Sequence, residues 1–329
     1  MDLEVQAELK RLRLELSLKK STSTKTVYAT QAEVNAGTSI DTSVSPATLS
    51  GWTHGILTGF KNFITNGRFE VNQRGKHSYT TTSGDYSFDR FYIEPETLIT
   101  KVKGGVRVSS GNLPKAVVIQ PIEILNGSSL VGIGEKLTLS FDASIGINST
   151  LKVEVVYRTD IDVDAGSPLV IKDFGNGSGS VQNYQVTFVD DLPPVNSTML
   201  MVKIGVTRAG QTDEQIKFLS NIQLERGNIA TPYEVLPISI QDERCRRYYE
   251  VLNFRMRKAS VVDEKYFFPI AYTTKRTNPS VTVAKDIASA WTWESVASSQ
   301  RTMASIGFTT KNNNNQGYYY GTATIDAEL

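Results

Sequence analysis

Beyond Lys61 the sequence is a succession of short runs in which apolar and polar residues alternate, each closed by residues that favour turns. In Lys136-Leu137-Thr138-Leu139-Ser140-Phe141 every second side chain is apolar, so an extended chain turns one face to a core and the other to water. Similar runs occupy Arg107 to Ser109, Ala116 to Gln120, Leu151 to Tyr157, Tyr184 to Val189 and Met199 to Val206. Asn126-Gly127, Gly175-Asn176-Gly177 and Pro193-Pro194 supply the turns between such runs. Several short strands at this spacing predict a mainly β fold, an antiparallel β-sandwich of jelly-roll type. After Thr231 to Pro237, where two prolines flank a Tyr-Glu pair, a second unit begins. Ile240 to Leu252 fits a short helix or a strand, and strand-like runs follow at Tyr266 to Tyr272, Ser280 to Ala284, Ile306 to Thr310 and Tyr318 to Ile325, enough for a small C-terminal β-sandwich.

The start of the chain differs. Val5, Leu9, Leu12 and Leu16 are spaced four, three and four apart, the apolar seam of a short coiled coil. Leu12, Leu14, Leu16 and Leu18 also alternate as in a strand; helix is the preferred reading of residues 1–20. Helices shorter than about 12 to 15 residues are marginal alone, so this segment calls for partner chains or a docking surface. Residues 21–60, rich in Ser, Thr, Ala, Gly and Val, form a connector in which Ala29 to Ala36 reads as a short helix stopped by Gly37, and Ser45 with Pro46 opens another; a merely flexible linker explains the composition equally well. The expected divisions are thus 1–20, an oligomerisation and anchoring helix, 21–60, a connector, 61–237, a jelly roll, and 238–329, a β tip.

Composition removes several classes of function. Lys and Arg number 35 against 34 Asp and Glu, a formal charge of +1, so no global field steers the chain to nucleic acid or an anionic membrane. Cys245 is the sole cysteine, which excludes an intrachain disulfide. Met1 to Lys20 lacks the apolar stretch of a secretory signal, and no run approaches the ~20 apolar residues that span a bilayer. The expectation is a soluble protein that is not exported by the usual route, which includes one released by cell lysis. The two histidines, His54 and His77, have no ligating neighbours at metal spacing and are read as surface residues.

Three segments resemble those of tail fibres and receptor-binding appendages of tailed bacteriophages. The first is Ala29-Thr30-Gln31-Ala32-Glu33-Val34-Asn35-Ala36-Gly37-Thr38 with Val44-Ser45-Pro46-Ala47-Thr48-Leu49. The second opens with Asn66-Gly67-Arg68-Phe69-Glu70, Gln73-Arg74-Gly75 and Phe88-Asp89-Arg90-Phe91, and closes with Ile222-Gln223-Leu224-Glu225-Arg226-Gly227 and Ala230-Thr231-Pro232-Tyr233-Glu234. It is similar to the jelly roll shared by phage fibres and carbohydrate-binding modules. The third is Cys245-Arg246-Arg247-Tyr248-Tyr249, Thr277-Asn278-Pro279-Ser280-Val281-Thr282 and Ile325-Asp326-Ala327-Glu328-Leu329. The resemblance implies a homotrimer in the virion, its N-terminal region held by other virion proteins, its C-terminal end meeting bacterial surface polysaccharide or lipopolysaccharide. The seam itself fits two strands as well as three.

Candidate sites follow, each with a plainer alternative. Asp89 and Arg90 lie among Tyr86, Phe88, Phe91 and Tyr92; they face a glycan, or they form a structural ion pair beneath buried aromatics. Trp291 and Trp293 share one face of a strand, and Tyr318, Tyr319 and Tyr320 split between faces; Trp291, Trp293, Tyr318 and Tyr320 are sugar platforms or interface core. Glu70 with Asn221 marks the place where carbohydrate-binding jelly rolls often hold structural calcium, the one cofactor the resemblance allows; the alternative is a metal-free clasp in which Asn66 and Glu70 bond the backbone. Asn312 to Asn315 is a loop that contacts the host or an inert hairpin tip. Tyr248 and Tyr249 with Arg244, Arg246 and Arg247 form a basic aromatic patch neutralised by Asp242, Glu243 and Glu250, which argues for a trimer or domain-junction contact and against nucleic acid.

An enzyme is not expected. Glycan cleavage needs two carboxylates about 5 to 10 Å apart in a groove; Asp160, Asp162 and Asp164 alternate with Ile and Val as on a solvated edge, and Gly175 to Gly179 has the wrong register for a nucleophile motif. A receptor-binding fibre is the leading expectation, an architectural head, collar or tail appendage the alternative, and a polysaccharide-degrading tailspike the least favoured.

Overall fold

The computed structural model describes residues 6, 8–15, 27–36, 43, 60–110, 115–125, 127–161, 168–208, 215–257, 265–285, 291–310 and 318–328. The chain divides into two units, Met1–Gly59 and Phe60–Leu329. In the first, residues 8–15 are α-helical, which settles the helix-or-strand ambiguity for Leu9, Leu12 and Leu14; Val5 and Leu16 lie outside the described residues. Helix α1 (Gln31–Ala36) follows an isolated bridge between Tyr28 and Ser43. Its start is held by a capping box: the Thr30 amide donates to Glu33 Oε2 at 2.8 Å and the Glu33 amide to Thr30 Oγ1 at 3.3 Å. The Ser45-Pro46 element lies outside the described residues.

The second unit begins with a sandwich of two six-stranded antiparallel sheets. One has the order β1 (Ser78–Thr80), β4 (Leu98–Val102), β5 (Gly105–Ser109), β12 (Ile216–Arg226), β7 (Lys136–Ile145), β10 (Val181–Val189). The other runs β2 (Asp85–Tyr86), β3 (Tyr92–Ile93), β6 (Lys115–Glu123), β11 (Met199–Arg208), β8 (Ser149–Arg158), β9 (Pro168–Asn176). Leu137, Leu139, Phe141, Ala143 and Ile145 of β7 meet Leu151, Val153, Val155 and Tyr157 of β8 and Leu200, Val202, Ile204 and Val206 of β11 in one core. Leu139 stands opposite Leu224 on one side and Val186 on the other. Burying each such aliphatic side chain stabilises the fold by about 1.5 to 3 kcal/mol, and a slip of one residue would turn the whole set to solvent. At the sandwich's entry, Gly67 passes so close to β12 that a Cβ there would lie 2.2 Å from the Ile222 carbonyl oxygen, and Ile222 N donates to Gly67 O at 3.0 Å.

Ile240 to Leu252 contains both elements that the sequence left open: helix α2 (Ile238–Arg246) and then β13 (Tyr249–Arg257). Two three-stranded antiparallel sheets follow, β13-β18-β15 and β14-β17-β16, with β14 (Lys265–Ala271), β15 (Ser280–Lys285), β16 (Trp291–Ser299), β17 (Met303–Thr310) and β18 (Tyr318–Asp326). Phe254, Ile270, Tyr272, Ala304, Ile306, Ala323 and Ile325 make their core. The architecture is mainly β, as expected.

Candidate functional site

The Phe88–Phe91 segment is a tight turn, with Phe91 N donating to Phe88 O at 2.8 Å and Arg90 in the left-handed region at φ 73°. This conformation buries both charged residues instead of one. Asp89 accepts from Gln73 N at 3.1 Å and from Arg74 Nη1 at 3.3 Å. Arg90 pairs with Glu328, near the far end of the chain, donates to the Pro121 carbonyl, and stacks 3.4 Å from the centre of the Tyr248 ring. Arg74 stacks on Tyr249 at 3.7 Å and also reaches Glu328 at 3.7 Å. Burial pushes the Asp89 carboxyl up to about 6, against the hydrogen bond from Gln73 N and the charge of Arg74. Asp89 and Arg90 are therefore corrected as glycan contacts: they are buried where the C-terminal unit meets the sandwich. Tyr86 is half-buried, edge-on to Tyr92 at 5.6 Å.

Calcium does not fit the residues at the sandwich's opening. Asn221 Oδ1, the oxygen a cation would use, accepts from Arg68 Nε at 2.7 Å, and the guanidinium brings a positive charge to that spot. Asn66 makes the clasp, accepting from Val71 N at 2.9 Å and donating to Val71 O at 2.8 Å and Asp89 O at 3.0 Å. Glu70 is exposed. Among the described residues no group of three His, Cys, Asp or Glu is placed to hold a metal ion.

Around Asn221 the outer face of the first sheet carries a row of polar side chains. Because Leu139, Phe141 and Ala143 point inward, Asp142 points out, and the same parity turns Asn183 and Gln185 of β10 outward. In β12 the register slips between Ser220 and Gln223, and Asn221 there has φ 54°; this bulge aims its side chain along the row. Gln185 Nε2 donates to Asn183 Oδ1 at 2.9 Å, Asn183 Nδ2 to Asp142 Oδ1 at 2.9 Å, and Asn221 Nδ2 to Asp142 Oδ2 at 2.6 Å. Arg68 ends the row, its guanidinium 4.8 Å above the Tyr233 ring, whose phenol burial pushes up to about 12. Asn183 and Gln185 are exposed, and Asp142, Asn221, Arg68 and Tyr233 are half-buried.

A cleft of about 380 Å³ opens between β6 and the C-terminal end of α2, lined by Phe63, Ile124, Leu125, Arg244, Arg247 and Tyr248 among others. Arg247 pairs with Glu123 at 2.9 Å, and Tyr248 Oη donates to the same carboxylate at 3.2 Å. Arg246 pairs with Asp242 at 2.7 Å and Glu250 at 3.3 Å. The basic aromatic patch of the sequence thus lies at the junction of sandwich and C-terminal sheets. Burial lowers the Arg244 guanidinium from its ordinary range, against the charge of Glu234.

No family model matches the sequence, and no curated protein matches it. Solved structures do. A carbohydrate-binding module described under "CBM4 structure and function" is 15% identical over 50% of this chain and 99% of its own, with a TM-score of 0.32. The N-terminal cellulose-binding domain of β-1,4-glucanase C from Cellulomonas fimi is 16% identical over 49% of this chain and 95% of its own, TM-score 0.28. The enzymatically active domain of tailspike protein 4 of bacteriophage CBA120 is 13% identical over 50% of this chain, TM-score 0.30, and only 21% of that structure is covered.

The remaining candidates are scattered. Trp291 and Trp293 lie on β16 with no register shift between them, Trp291 opposite Thr310 and Trp293 opposite Phe308. Tyr318 and Tyr320 lie on β18 opposite Arg257 and Arg255, and Tyr320 is exposed with the Arg255 guanidinium 5.4 Å from its ring. His77 is exposed before β1, while His54, Asp162, Asp164 and Asn312 to Asn315 lie outside the described residues. Leu9 and Leu12 are 44% and 54% exposed on their helix. Asn183, Gln185 and Asp142 were not singled out in the sequence, and Arg68 and Tyr233 entered only as members of the resembling segments. Alternation alone signals that Asp142 and Asn183 face outward, but the row exists only through cross-strand register and the Asn221 bulge.

Proposed function

We propose that this chain is a non-catalytic structural protein of a tailed-phage fibre, trimeric, which attaches the particle to bacterial surface glycan through the outer face of its jelly roll. The row from Gln185 to Tyr233 is the observation that carries the reading. Sugar hydroxyls each donate and accept, so a surface that recognises them presents amides, carboxylates and guanidinium groups fixed in direction by their own neighbours. The row does this across three strands of a rigid sheet, and Arg68 is steadied by an aromatic ring. Among the described residues Gln185 Oε1 accepts no hydrogen bond, and Asn183 and Gln185 are open to solvent. The leucines left bare on the N-terminal helix support association through that segment, and three linked copies turn weak single sites into firm attachment.

The test uses the full-length chain carrying a fluorophore, applied to a panel of bacterial strains and to arrayed surface polysaccharides. Retention on one strain and its polysaccharide is expected, together with competition against phage adsorption to that strain. Asn183→Ala with Gln185→Ala is expected to reduce retention at least tenfold. Undiminished binding by that double variant, docking to virion proteins without any binding to cells, or turnover of a polysaccharide would each sink the proposal.

A further inference from the structure

The outer strand of a sheet turns every second N–H and C=O pair away from its one neighbour, and folds guard such edges with shortness, bulges, proline or charge. Among the described residues every edge strand but one is guarded in this way. In the sandwich β1 has three residues and β2 two, while β9 carries Pro168, Lys172 and Asp173 and slips register against β8. Each edge of the C-terminal sheets bears charge: Glu250 in β13, Lys265 in β14, Lys285 in β15 and Glu294 in β16. The exception is β10. Its nine residues include no charge, proline or glycine, and its register to β7 is unbroken.

Val186 and Phe188 face the core, so Val181, Asn183, Gln185, Thr187 and Val189 form the outer set. Laid antiparallel on a copy of itself about Gln185, β10 overlaps along its whole length, and any other register that keeps this set outward shortens the overlap. Val181 then meets Val189, Asn183 meets Thr187, and Gln185 meets its counterpart. Aliphatic groups face each other at both ends, amides and hydroxyls at the centre, and no charge opposes a like charge. Val181 and Val189 are 59% and 48% exposed, so the pairing covers bare apolar surface at each end.

We infer that β10 is a pairing surface for a second copy of this chain, the two strands running antiparallel about Gln185 so that two six-stranded sheets become one. The contact is a single strand wide, in the class of weak interfaces below ~1,200 Å², so copies pair as they are concentrated. It adds to association through the N-terminal seam and does not rest on the glycan-binding reading. The outer face stays open, because the bonds form along the strand's edge.

Sedimentation equilibrium of the full-length chain over graded concentrations tests this. The average mass is expected at least to double from its dilute value, and amide exchange within Val181–Val189 to slow over the same range. Two variants at the exposed ends of the strand then decide the geometry. Val181→Lys with Val189→Lys sets like charges opposite one another and is expected to weaken self-association at least fivefold. Val181→Lys with Val189→Glu adds as many charges but brings the lysine of one copy opposite the glutamate of the other, and is expected to associate at least as tightly as the parent. Parallel strands would instead set like on like in both variants. Should either variant not fold, the exchange measurement on the parent carries the test. The inference is overturned if the mass keeps its dilute value, if it rises while exchange in β10 is unchanged, or if the two variants associate alike. Protection of β10 that needs a different protein would assign the edge to that partner and overturn it as well.

Discussion

Asp89 is the residue whose local sequence points one way and whose environment points another. Its aromatic neighbours suggest a sugar-facing carboxylate, yet its turn is buried under Arg74, Tyr249 and a C-terminal segment more than two hundred residues away. No local pattern carries that information, because Glu328 and Arg90 meet only once the C-terminal sheets have packed against the sandwich. The raised carboxyl gives a signed prediction. A carboxyl titrating near 6 in the fold and near 3.8 when unfolded binds its proton more tightly in the native state. Its ionisation therefore opposes folding fully above pH 6, and this opposition is lifted as pH falls from about 6 to 4. The whole effect is about 3 kcal/mol. The stability of Asp89→Asn minus that of the parent, measured by urea denaturation, is expected to fall by an amount of that order between pH 7 and pH 4, and a flat difference would show that Asp89 does not titrate in this window. Arg68, Asn183 and Gln185 were illegible for another reason: they are ordinary polar residues until register sets them in line.

At the scale of elements the sequence was far more readable. The ten runs picked out by alternation all fall on strands, with Tyr272 one residue beyond β14, because a half-buried strand must alternate to fill a core. Strands β1 to β4, β9 and β12 were not among these runs; β9 is an edge strand whose side chains are exposed or half-buried throughout, so burial imposes no pattern on it, while the register slips in β12 break its alternation. Helix α2 was left ambiguous because it buries only Gln241 and Cys245, too narrow a stripe to read. The same reasoning ranks substitutions. Leu139, fully buried between Leu224 and Val186 on an interior strand of its sheet, is expected to cost about 2 to 5 kcal/mol when changed to Ala. Gly67→Ala forces the backbone away from Ile222 and is expected to rank beside it. Val181→Ala, on an exposed edge position, should stay within about 0.5 kcal/mol. Guanidinium denaturation of the three variants checks the order, and a costly Val181 with a silent Leu139 would contradict the register.

For the molecule as a whole, two features decide behaviour beyond the single sheet. Arg90, Arg74 and Arg247 tie the C-terminal sheets to the sandwich through Glu328 and Glu123, so the parts of Phe60–Leu329 are expected to melt in one calorimetric transition. Arg90→Ala leaves the buried Glu328 carboxylate with only the longer 3.7 Å contact to Arg74, a loss of up to about 3 to 5 kcal/mol where a buried pair is broken, and is expected to split that transition in two. The second feature is the N-terminal helix. A helix of this length holds together only when its apolar side is covered, and Leu9 and Leu12 are exposed on it. If three copies cover them, the full-length protein scatters light as a particle about three times the 36.3 kDa chain mass. Placing charge on the seam with Leu9→Asp and Leu12→Asp would then release monomers whose sandwich still unfolds at its usual denaturant midpoint, while retention on cells falls far more than the affinity of any single site, because avidity is lost. A parent protein of single-chain mass would remove the trimer, and a doubly charged variant that keeps its mass would place the association elsewhere in the chain.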